Sequence, residues 1–485
     1  MSTPPRPPVV VTAAAVAPRA PDALALYAAL RERLGADEVF LLEDLHSVDD
    51  PAPTVVGFGR LAEITVTGDR VEVSGDGAAA AALRAHCDWH TGRGGPPNAA
   101  AVWDLLRTAM DAFDVTTDIP ADRFAFGFLT SVGYDAAALM EELPERTSAP
   151  STPDVTVTLY QQTVWFERDG STPTVITAAG PDLPTPRGAD WLRELTAEPV
   201  GVPPAPPPES VEDTVDRDTF LDWVKRCLHH VRIGDVYQIQ VGHRIDVRTP
   251  LTPLAVYRRL RSRNPSPYMY LTRQAGTTLI GASPELHFRV RGGRIVMRPI
   301  AGTTRRDPTG VDNERRIKEL VASVKEQAEH VMLVDLCRND IGRVCRPGTL
   351  AVDELMAVEA FSHVFHLVST VSGELAAGMD VWDTLCATFP AGTMTGAPKV
   401  RAMQIIDGIE VRRRGPYAGA IGLIDPRGFS ELALCIRTIV QSPDGTYSTQ
   451  SSAGVVALSD PAAEWDETLA KMGAGYWALT GAELR

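Results

Sequence analysis

The sequence lacks the features that mark several large classes of protein. Its six cysteines include no CxxC pair, which argues against a zinc site or a disulfide framework and predicts a reducing compartment. No apolar run approaches the roughly 20 residues that span a bilayer. The opening MSTPPRPPVVV is too rich in proline for a secretory signal. We therefore expect a cytoplasmic chain that does not enter a membrane.

Positive charge is also scarce. The 485 residues carry 47 Lys and Arg against 62 Asp and Glu, a formal net charge of -15. Because nucleic-acid binding usually needs a basic face, this balance argues against a DNA or RNA partner. Hydrophobic residues make up 44% of the chain, which is ample for a core. The length predicts either two domains of unequal size or one elaborate double-layered domain.

Proline and changes of pattern predict the domain organisation. Residues 1–20 are proline-rich and weakly patterned, which predicts a disordered or loosely docked arm. Residues 21–200 form an N-terminal region that begins with helical periodicity and continues in short strand-like runs. Residues 201–210 include VPPAPPPES, a polyproline linker, because such a run forms neither helix nor central strand. Alternating helix and strand patterns resume across 211–485, the predicted catalytic domain.

Two glutamate pairs stand out in the second half. Glu326 and Glu329 lie three residues apart in a stretch with helical periodicity, and Glu464 and Glu467 repeat that spacing near the end. Residues three apart share one side of a helix, so two such helices would offer four carboxylates to a hard cation such as Mg²⁺. Taken alone, either pair is more commonly a solvated helix face.

Two further features suit an anionic substrate. FPAGTMTGAPKVRAM places Thr393 and Gly396 before a helix that opens at Pro398, and the N–H groups of a helix start attract anions. Arg437 lies in the otherwise apolar strand-like run ELALCIRTIV, where a buried cation needs a carboxylate partner. A plain helix cap and an internal ion pair are the alternatives. Together these residues indicate a divalent metal and a substrate with more than one carboxylate.

At this point the chain resembles the chorismate-utilising enzymes: anthranilate synthase component I and the aminodeoxychorismate, isochorismate and salicylate synthases. The matching stretches occur in family order over 211–485 and include GDVYQIQVGHR, GASPELHF, RPIAGTTRR, EQAEHVMLVDLCRNDIGRV, FPAGTMTGAPKVRAMQIIDGIE, RRGPYAGAIG and AAEWDETLAKMGA. The first half matches more weakly, through FLLED, VGFGR and GFLTSVGYD. The resemblance implies the α/β (α+β) fold of the anthranilate synthase large subunit, with two stacked antiparallel sheets, surrounding helices and a central cleft.

The resemblance also implies a role for each matching residue. Glu329 and Glu467 would hold Mg²⁺, supported by Glu464 and Glu326, and the metal would grip the ring carboxylate of chorismate. Glu285 would act as general acid on the departing C4 hydroxyl. His366 would support the elimination of pyruvate. Tyr417, Arg437 and the backbone near Gly454 would bind the enolpyruvyl carboxylate, and the rest of the pocket would comprise Thr303, Thr393, Gly396 and Lys471.

Two positions favour amination at ring carbon C2. Water-using relatives carry a lysine where this chain has Gln238, and an amide cannot act as a base. Many aminodeoxychorismate synthases carry a nucleophilic lysine where this chain has Ala301. The resemblance thus implies that ammonia attacks C2 directly, giving 2-amino-2-deoxyisochorismate and then anthranilate plus pyruvate. The main alternative is a synthase that stops at the aminated product. Aminodeoxychorismate, isochorismate or salicylate formation and a non-catalytic regulatory relative are less favoured.

The sequence carries no cysteine in the G-x-C-x-G context of a glutaminase. We therefore expect ammonia from a separate glutamine amidotransferase subunit or from free ammonium. Homo-oligomerisation is left open.

The resemblance also implies an amino-acid effector site, which has departed from the usual pattern. Its segments are LLED and NPSPYM, with Leu42, Glu43, Asp44, Pro265, Tyr268 and Met269. Relatives under tryptophan feedback typically read LLES, so Asp44 predicts weak or absent tryptophan inhibition. A second departure is Ser452 in Ser-Ala-Gly, where relatives carry a Gly-Ala-Gly turn. Serine narrows the backbone options there and indicates a changed hold on a substrate carboxylate.

Overall fold

A computed structural model describes residues 4–16, 22–46, 52–91, 99–144, 150–195, 201–307 and 309–484. None of the helices in these ranges is long and apolar enough to cross a bilayer. The helices are α1 (Ala23–Leu34), α2 (Ala78–Thr91), α3 (Ala99–Met110), α4 (Ala189–Arg193), α5 (Arg217–Arg232), α6 (Pro253–Arg263), α7 (Asn313–Ala322), α8 (Val324–Gly342), α9 (Val381–Thr388), α10 (Lys399–Ile409) and α11 (Pro461–Thr480).

The strands belong to one hydrogen-bonded sheet. They are β1 (Pro8–Ala15), β2 (Val39–Glu43), β3 (Thr54–Thr67), β4 (Arg70–Ser74), β5 (Asp114–Thr117), β6 (Phe128–Val132), β7 (Val155–Phe166), β8 (Thr174–Ala179), β9 (Ser210–Asp213), β10 (Gln238–Arg248), β11 (Tyr268–Gln274), β12 (Thr277–Ser283), β13 (Leu286–Arg291), β14 (Arg294–Met297), β15 (Ile300–Arg305), β16 (Ala351–Ala360), β17 (Val364–Glu374), β18 (Gly396–Ala397), β19 (Ala420–Asp425), β20 (Phe429–Leu434), β21 (Thr438–Gln441) and β22 (Tyr447–Val455).

Strand pairing divides this sheet into two layers, which β3 and β7 connect. The first layer runs in the order β9-β10-β22-β21-β12-β11-β2. The second runs β6-β19-β20-β13-β14-β17, with β15 and β16 also on β17. The long strands β3 and β7 pass from one layer to the other, because one end of β3 pairs with β2 while one end of β7 pairs with β6. These pairings are antiparallel, as predicted.

Buried side chains between the layers hold them face to face. Tyr270 and Leu279 of the first layer pack on Ile421 and Cys435 of the second. Helices cover the outer faces: α1, α6 and α11 pack on the first layer, and α2, α3 and α9 contribute to the core of the second. The predicted α/β fold with stacked antiparallel layers and surrounding helices is therefore confirmed.

The helix that carries the last glutamate pair shows how local sequence sets an element. The Asp460 side chain caps α11 by accepting hydrogen bonds from the backbone N–H groups of Ala462 and Ala463. Gly481 ends the helix with a φ of 77°, a left-handed conformation that glycine adopts without strain. Buried residues recur every three or four positions, as Thr468, Met472 and Gly475 do, so one face packs on β22.

The predicted disordered arm over 1–20 is wrong for its central part. Residues 8–15 form β1, which pairs in parallel with β5 and antiparallel with β8. Val9 and Val11 are 1% and 2% exposed in the core. The prolines that suggested disorder precede or open the strand, where a missing N–H costs no ladder bond. Residues 1–3 and 17–20 lie outside the described part of the chain.

The two predicted regions share hydrogen-bonded strands. In the region over 21–200, β2 pairs with β11 and β6 pairs with β19, and both partners belong to the region over 211–485. Residues 201–208 have no regular secondary structure, and β9 begins at Ser210. The division into domains at 201–210 stays a prediction.

Candidate active site

The two glutamate pairs lie on helices that converge. α8 is capped by Ser323, and Glu326 and Glu329 stand one turn apart within it. Burial raises the pKa of Glu329, and the charges of Glu326 and Glu467 raise it further. Glu464 shows the same pattern, because burial and the charge of Glu467 raise its pKa. The carboxylates of the two helices therefore repel one another, although the charges of Lys325 and Lys471 oppose the rise in pKa.

Lysine and glutamine side chains occupy the space between these helices. The Lys471 ammonium lies 2.6 Å from Glu467 Oε1 and donates to the Ser452 carbonyl oxygen at 2.8 Å. Gln238, at the start of β10, donates from Nε2 to Glu329 Oε1 at 3.1 Å. Its Oε1 is buried and has no hydrogen-bond partner among the described residues. Gln238, which was predicted to influence the choice of nucleophile, therefore lies directly beside Glu329, a predicted metal ligand.

The carboxylates fit Mg²⁺ in their chemistry. All four are hard oxygen donors, and their mutual repulsion is what a divalent cation would relieve. Within the described ranges, no group of three or more His, Cys, Asp or Glu side chains is arranged to hold a metal ion. Glu467, in particular, is paired with Lys471 instead. The metal roles of these glutamates stay a prediction.

Glu285 lies between β12 and β13 and is almost fully buried. Thr393, in a short 3-10 turn at Gly392–Met394, donates from Oγ1 to Glu285 Oε1 at 3.1 Å. Burial raises the pKa of Glu285 to about 8, although the bond from Thr393 and the charge of Lys471 oppose the change. The carboxyl group is thus mainly protonated at neutral pH and can donate a proton.

His366 is a neutral imidazole whose Nε2 makes no hydrogen bond with the residues that the structure describes. Its Nδ1 lies 3.0 Å from Thr303 Oγ1 and 3.3 Å from the Gly302 carbonyl oxygen. A carbonyl oxygen only accepts, so we assign the proton to Nδ1 and the lone pair to Nε2. Burial lowers the pKa of His366 to about 4, and the charge of Arg437 lowers it as well. The Phe361 ring packs edge-on against the imidazole at 4.9 Å.

Arg437 is a half-buried cation whose guanidinium makes no hydrogen bond or ion pair with the described residues. It does not lie within a strand, as the sequence predicted, but in the bend between β20 and β21, with a φ of 50°. Backbone strain of this kind is common where a side chain is aimed at a ligand. Burial lowers the pKa of Arg437, and the neighbouring Tyr417 and Glu467 raise it.

Gly396 and Gly454, both predicted at the substrate site, stand where neighbouring atoms leave no room for a side chain. Gly396 has a φ of 147°, and a Cβ there would lie 2.2 Å from the Gln238 carbonyl oxygen, so only glycine permits the pairing of β18 with β10. A Cβ on Gly454 would lie 2.9 Å from Nε2 of both Gln238 and Gln240. The helix after Gly396 begins at Lys399, whose ammonium pairs with Asp340 at 2.8 Å.

The predicted effector segments also meet, at the pairing of β2 with β11. Met269 lies opposite Glu43, and Tyr268 and Leu42 belong to the same two strands. Glu43 is 3% exposed and accepts two bonds of 3.0 Å from Arg261. The Asp44 carboxylate accepts from the backbone N–H groups of His46 and Ala52. The Pro265 carbonyl oxygen accepts from Ser362 Oγ at 2.7 Å.

Sequence reasoning missed two residues that shape the site and misplaced a third. Gly302 approaches α8 so closely that a Cβ there would lie 3.3 Å from Glu326 Oε2. Gln240 follows Gln238 by two positions and therefore lies on the same face of β10. The departure at Ser452 was noted, but the residue lies in strand β22, not in a turn. Gln238 and Gln240 are two residues apart in a strand-like run, and this spacing was the sequence signal that could have identified Gln240 as a site residue.

Comparison with known proteins gives consistent results. The family model described as chorismate binding enzyme matches residues 56–475. The 2-amino-4-deoxychorismate synthase of Streptomyces globisporus is 45% identical, over 95% of this chain and 95% of that protein. Anthranilate synthase component 1 of Haloferax volcanii is 36% identical, over 93% of this chain and 90% of that protein. The crystal structure of anthranilate synthase component I from Streptococcus pneumoniae TIGR4 matches with a TM-score of 0.70 at 28% identity, covering 89% of this chain and 93% of that one.

Proposed function

The chain belongs to the family of chorismate-binding enzymes, and from that premise we propose that it aminates chorismate at ring carbon C2. Ammonia attacks C2, the ring double bonds shift, and the C4 hydroxyl leaves as water. The first product is 2-amino-2-deoxyisochorismate. Atoms balance in this step, since one ammonia replaces one water.

The observation that carries the proposal is the burial of the Glu285 carboxyl group against Thr393. Hydroxide is a poor leaving group, so its departure from C4 needs an acid that still holds a proton at neutral pH. The pKa of Glu285, raised to about 8 by burial, meets that requirement, and the bond from Thr393 fixes the carboxyl group in place. Few other acids could do this, because an exposed glutamate is ionised at neutral pH.

Gln238 and Ala301 support ammonia as the nucleophile. Neutral ammonia needs no base, whereas water does, and the Gln238 amide cannot supply one. Its unpartnered Oε1 is an acceptor that an N–H group can satisfy. Ala301, in β15 opposite Leu367, has no nucleophilic atom and cannot form a covalent adduct with the ring. One relative is named 2-amino-4-deoxychorismate synthase. That name describes a product with nitrogen at C2 and no hydroxyl group at C4, as in the reaction proposed here.

Charged groups on opposite sides would bind the two carboxylates of the substrate. Arg437, half-buried beside Tyr417 and without an ion-pair partner among the described residues, suits the enolpyruvyl carboxylate. Glu329, Glu326, Glu464 and Glu467 would hold Mg²⁺, which when bound would neutralise the ring carboxylate. The glutamates alone would repel that carboxylate, so the proposal includes a dependence on Mg²⁺.

We propose anthranilate and pyruvate as the end products. A base removes the C2 proton, its electron pair completes the aromatic ring, and the C3–O bond breaks so that enolpyruvate departs. His366 suits this step because its Nε2 carries a free lone pair at neutral pH. A second candidate is release of the aminated ring before elimination, which the name of the 45%-identical relative favours. Ammonia would come from a separate glutamine amidotransferase or from free ammonium, as expected from the absence of a glutaminase signature.

The test uses the purified full chain with chorismate, Mg²⁺ and an ammonium salt. Chorismate loss, pyruvate and anthranilate fluorescence are followed together. Loss of chorismate that requires ammonium supports amination, and equimolar pyruvate and anthranilate support the first candidate. Glutamine in place of ammonium is the control and should give no turnover. A chain that leaves chorismate unchanged in ammonium, with Mg²⁺ present, would contradict the proposal and support a non-catalytic relative.

A further inference from the structure

A chain of buried hydrogen bonds links Tyr417 to Gln240 through Ser452. Ser452 lies in β22 opposite Gly242 of β10 and is 2% exposed. Its Oγ lies 2.7 Å from the Tyr417 hydroxyl oxygen and 3.0 Å from Gln240 Oε1. The serine hydroxyl therefore lies between the Tyr417 hydroxyl and the Gln240 amide.

The chemistry of these groups fixes the direction of the chain. An amide oxygen only accepts, so the single proton of Ser452 points at Gln240 Oε1. Ser452 Oγ then accepts, and the Tyr417 hydroxyl must donate to it. Burial raises the pKa of Tyr417 to about 12, so the hydroxyl keeps its proton at neutral pH. The tyrosine proton is thus directed towards Ser452, and its oxygen can only accept from other neighbours.

This direction matters because Tyr417 lies beside the unpaired Arg437. Resting on the proposed function, the enolpyruvyl carboxylate bound by Arg437 lies at the Tyr417 hydroxyl. When the C3–O bond breaks, the electron pair leaves on the enolpyruvate oxygen, and negative charge develops on that arm. A hydrogen-bond donor aimed at the developing charge would lower the barrier.

We propose that Ser452 is a positioning residue that holds the Tyr417 proton away from the departing enolpyruvyl arm and so slows the loss of pyruvate from the aminated ring. Ser452 does not touch the reacting atoms; it acts through Tyr417. Without its hydroxyl, the Tyr417 proton is free to turn towards the arm and stabilise the leaving group. The step then completes as elimination to anthranilate and pyruvate.

The experiment compares Ser452→Ala with Ser451→Ala in the full-length chain. Ser451 is a matched control, because it is 4% exposed and its Oγ donates one 2.8 Å bond to the Thr468 carbonyl oxygen on the other face of β22. The readout is pyruvate formed per chorismate consumed, with chorismate, Mg²⁺ and an ammonium salt. We expect Ser452→Ala to raise the ratio of pyruvate to aminated ring about tenfold, the factor that one hydrogen bond to a charged group supplies. Ser451→Ala should leave the ratio unchanged.

The double variant Ser452→Ala/Tyr417→Phe tests the route through Tyr417. If the gain comes from the freed tyrosine proton, it disappears when the hydroxyl is removed as well. Ser452→Gly is the second variant in case the alanine chain folds poorly, and thermal unfolding of each is compared with that of Ser451→Ala.

The outcomes separate this inference from the function on which it rests. No ammonium-dependent loss of chorismate by the wild-type chain overturns both. Chorismate loss with an initial pyruvate share that Ser452→Ala does not change overturns the role of Ser452 alone. A gain that survives in the double variant also overturns it.

Discussion

At the scale of single residues, the ionisation of Glu285 limits what the site can do. Glu285→Gln keeps the size of the side chain and its contact with Thr393 but removes the acidic proton. We expect ammonia-dependent chorismate consumption to fall by about 10²- to 10⁴-fold, the usual contribution of a general acid. In the wild-type chain the rate should decline as pH rises through 8, because the acid form is lost there. Initial rates at constant free ammonia, measured on both sides of pH 8, check this.

Stability provides the control for this prediction. Burial raises the pKa of Glu285 from 4.5 to about 8, so the folded chain binds this proton more tightly than the unfolded chain. The stabilisation is complete below the unfolded value and is lost as pH rises through the folded value. Denaturant unfolding near pH 4.5 and near pH 8 should therefore show a smaller loss for Glu285→Gln than for the wild type. An active variant whose rate keeps the wild-type decline above pH 8 would assign the acid to another residue.

Individual side chains were predictable where a motif fixed them and not where the fold assembled them. Glu285 was predicted as an acid from its motif, and its burial agrees with that chemistry. Arg437 was placed in a strand because its neighbours are apolar, whereas it occupies a bend with positive φ. The bond from Ser452 to Gln240 joins residues 212 positions apart, and no local pattern reports such a contact.

At the scale of elements, α8 and α11 carry the four glutamates from distant parts of the chain, and the charge of Glu467 on α11 acts on Glu329 of α8. Glu329→Gln removes one half-buried carboxylate whose pKa is raised by the charges of Glu326 and Glu467. We expect the Mg²⁺ concentration for half-maximal activity to rise at least about tenfold, since lost contacts at metal sites typically cost 10- to 100-fold in affinity. The control is Glu319→Gln on α7, an exposed partner of Arg315. Activity titrated with Mg²⁺ and with a chelator is the measurement.

Binding of Mg²⁺ should also stabilise the fold, which gives a readout independent of turnover. A ligand at a hundredfold excess over its dissociation constant adds about 2.7 kcal/mol to the unfolding free energy. The wild type and Glu319→Gln should gain this stabilisation, and Glu329→Gln should lose most of it. Equal gains in all three chains would place the metal elsewhere.

The pairing of β2 with β11 bears on regulation. Glu43 already accepts two bonds from Arg261, and the Asp44 carboxylate accepts from the backbone N–H groups of His46 and Ala52. Neither group is available to an amino-acid effector without losing these bonds, and an added carboxylate at Asp44 repels an effector carboxylate. We expect weak or absent inhibition by tryptophan in the ammonia-dependent assay. Tight inhibition would show that the segment rearranges to bind it, and Asp44→Ser should then strengthen the effect.

The sequence predicted where helices and strands occur better than it predicted which strands pair with one another. Helical spacing predicted α1, because its apolar residues recur every three or four positions and the helix satisfies its own backbone bonds. A strand satisfies its bonds only with another strand, so the sequence around β1 could not show that β5 and β8 would hold it. The prolines near the start of the chain therefore led to a prediction of disorder, although Val9 and Val11 are buried in the structure.

At the scale of the whole molecule, the two halves are interleaved, although the sequence shows a clear break between them. β6 lies against β19, and β2 lies against β11, so each layer contains strands from both sides of 201–208. Tyr270, Leu279 and Ile421 are buried between the layers. A linker can therefore mark a change of composition without separating two cores.

This interleaving predicts how the chain responds to division. Residues 211–485 alone should not fold cooperatively, because β11 and β19 lose strand partners and the apolar faces that β2, β3 and β7 cover become exposed. Fragments 4–200 and 211–485 expressed together should reassemble with ammonia-dependent activity, since the omitted residues 201–210 contain no helix and only the first residue of β9. Circular dichroism, limited proteolysis and chorismate consumption distinguish the two samples. If 211–485 alone unfolded cooperatively and kept full activity, the shared strands would contribute little, and the first half would be an independent regulatory domain.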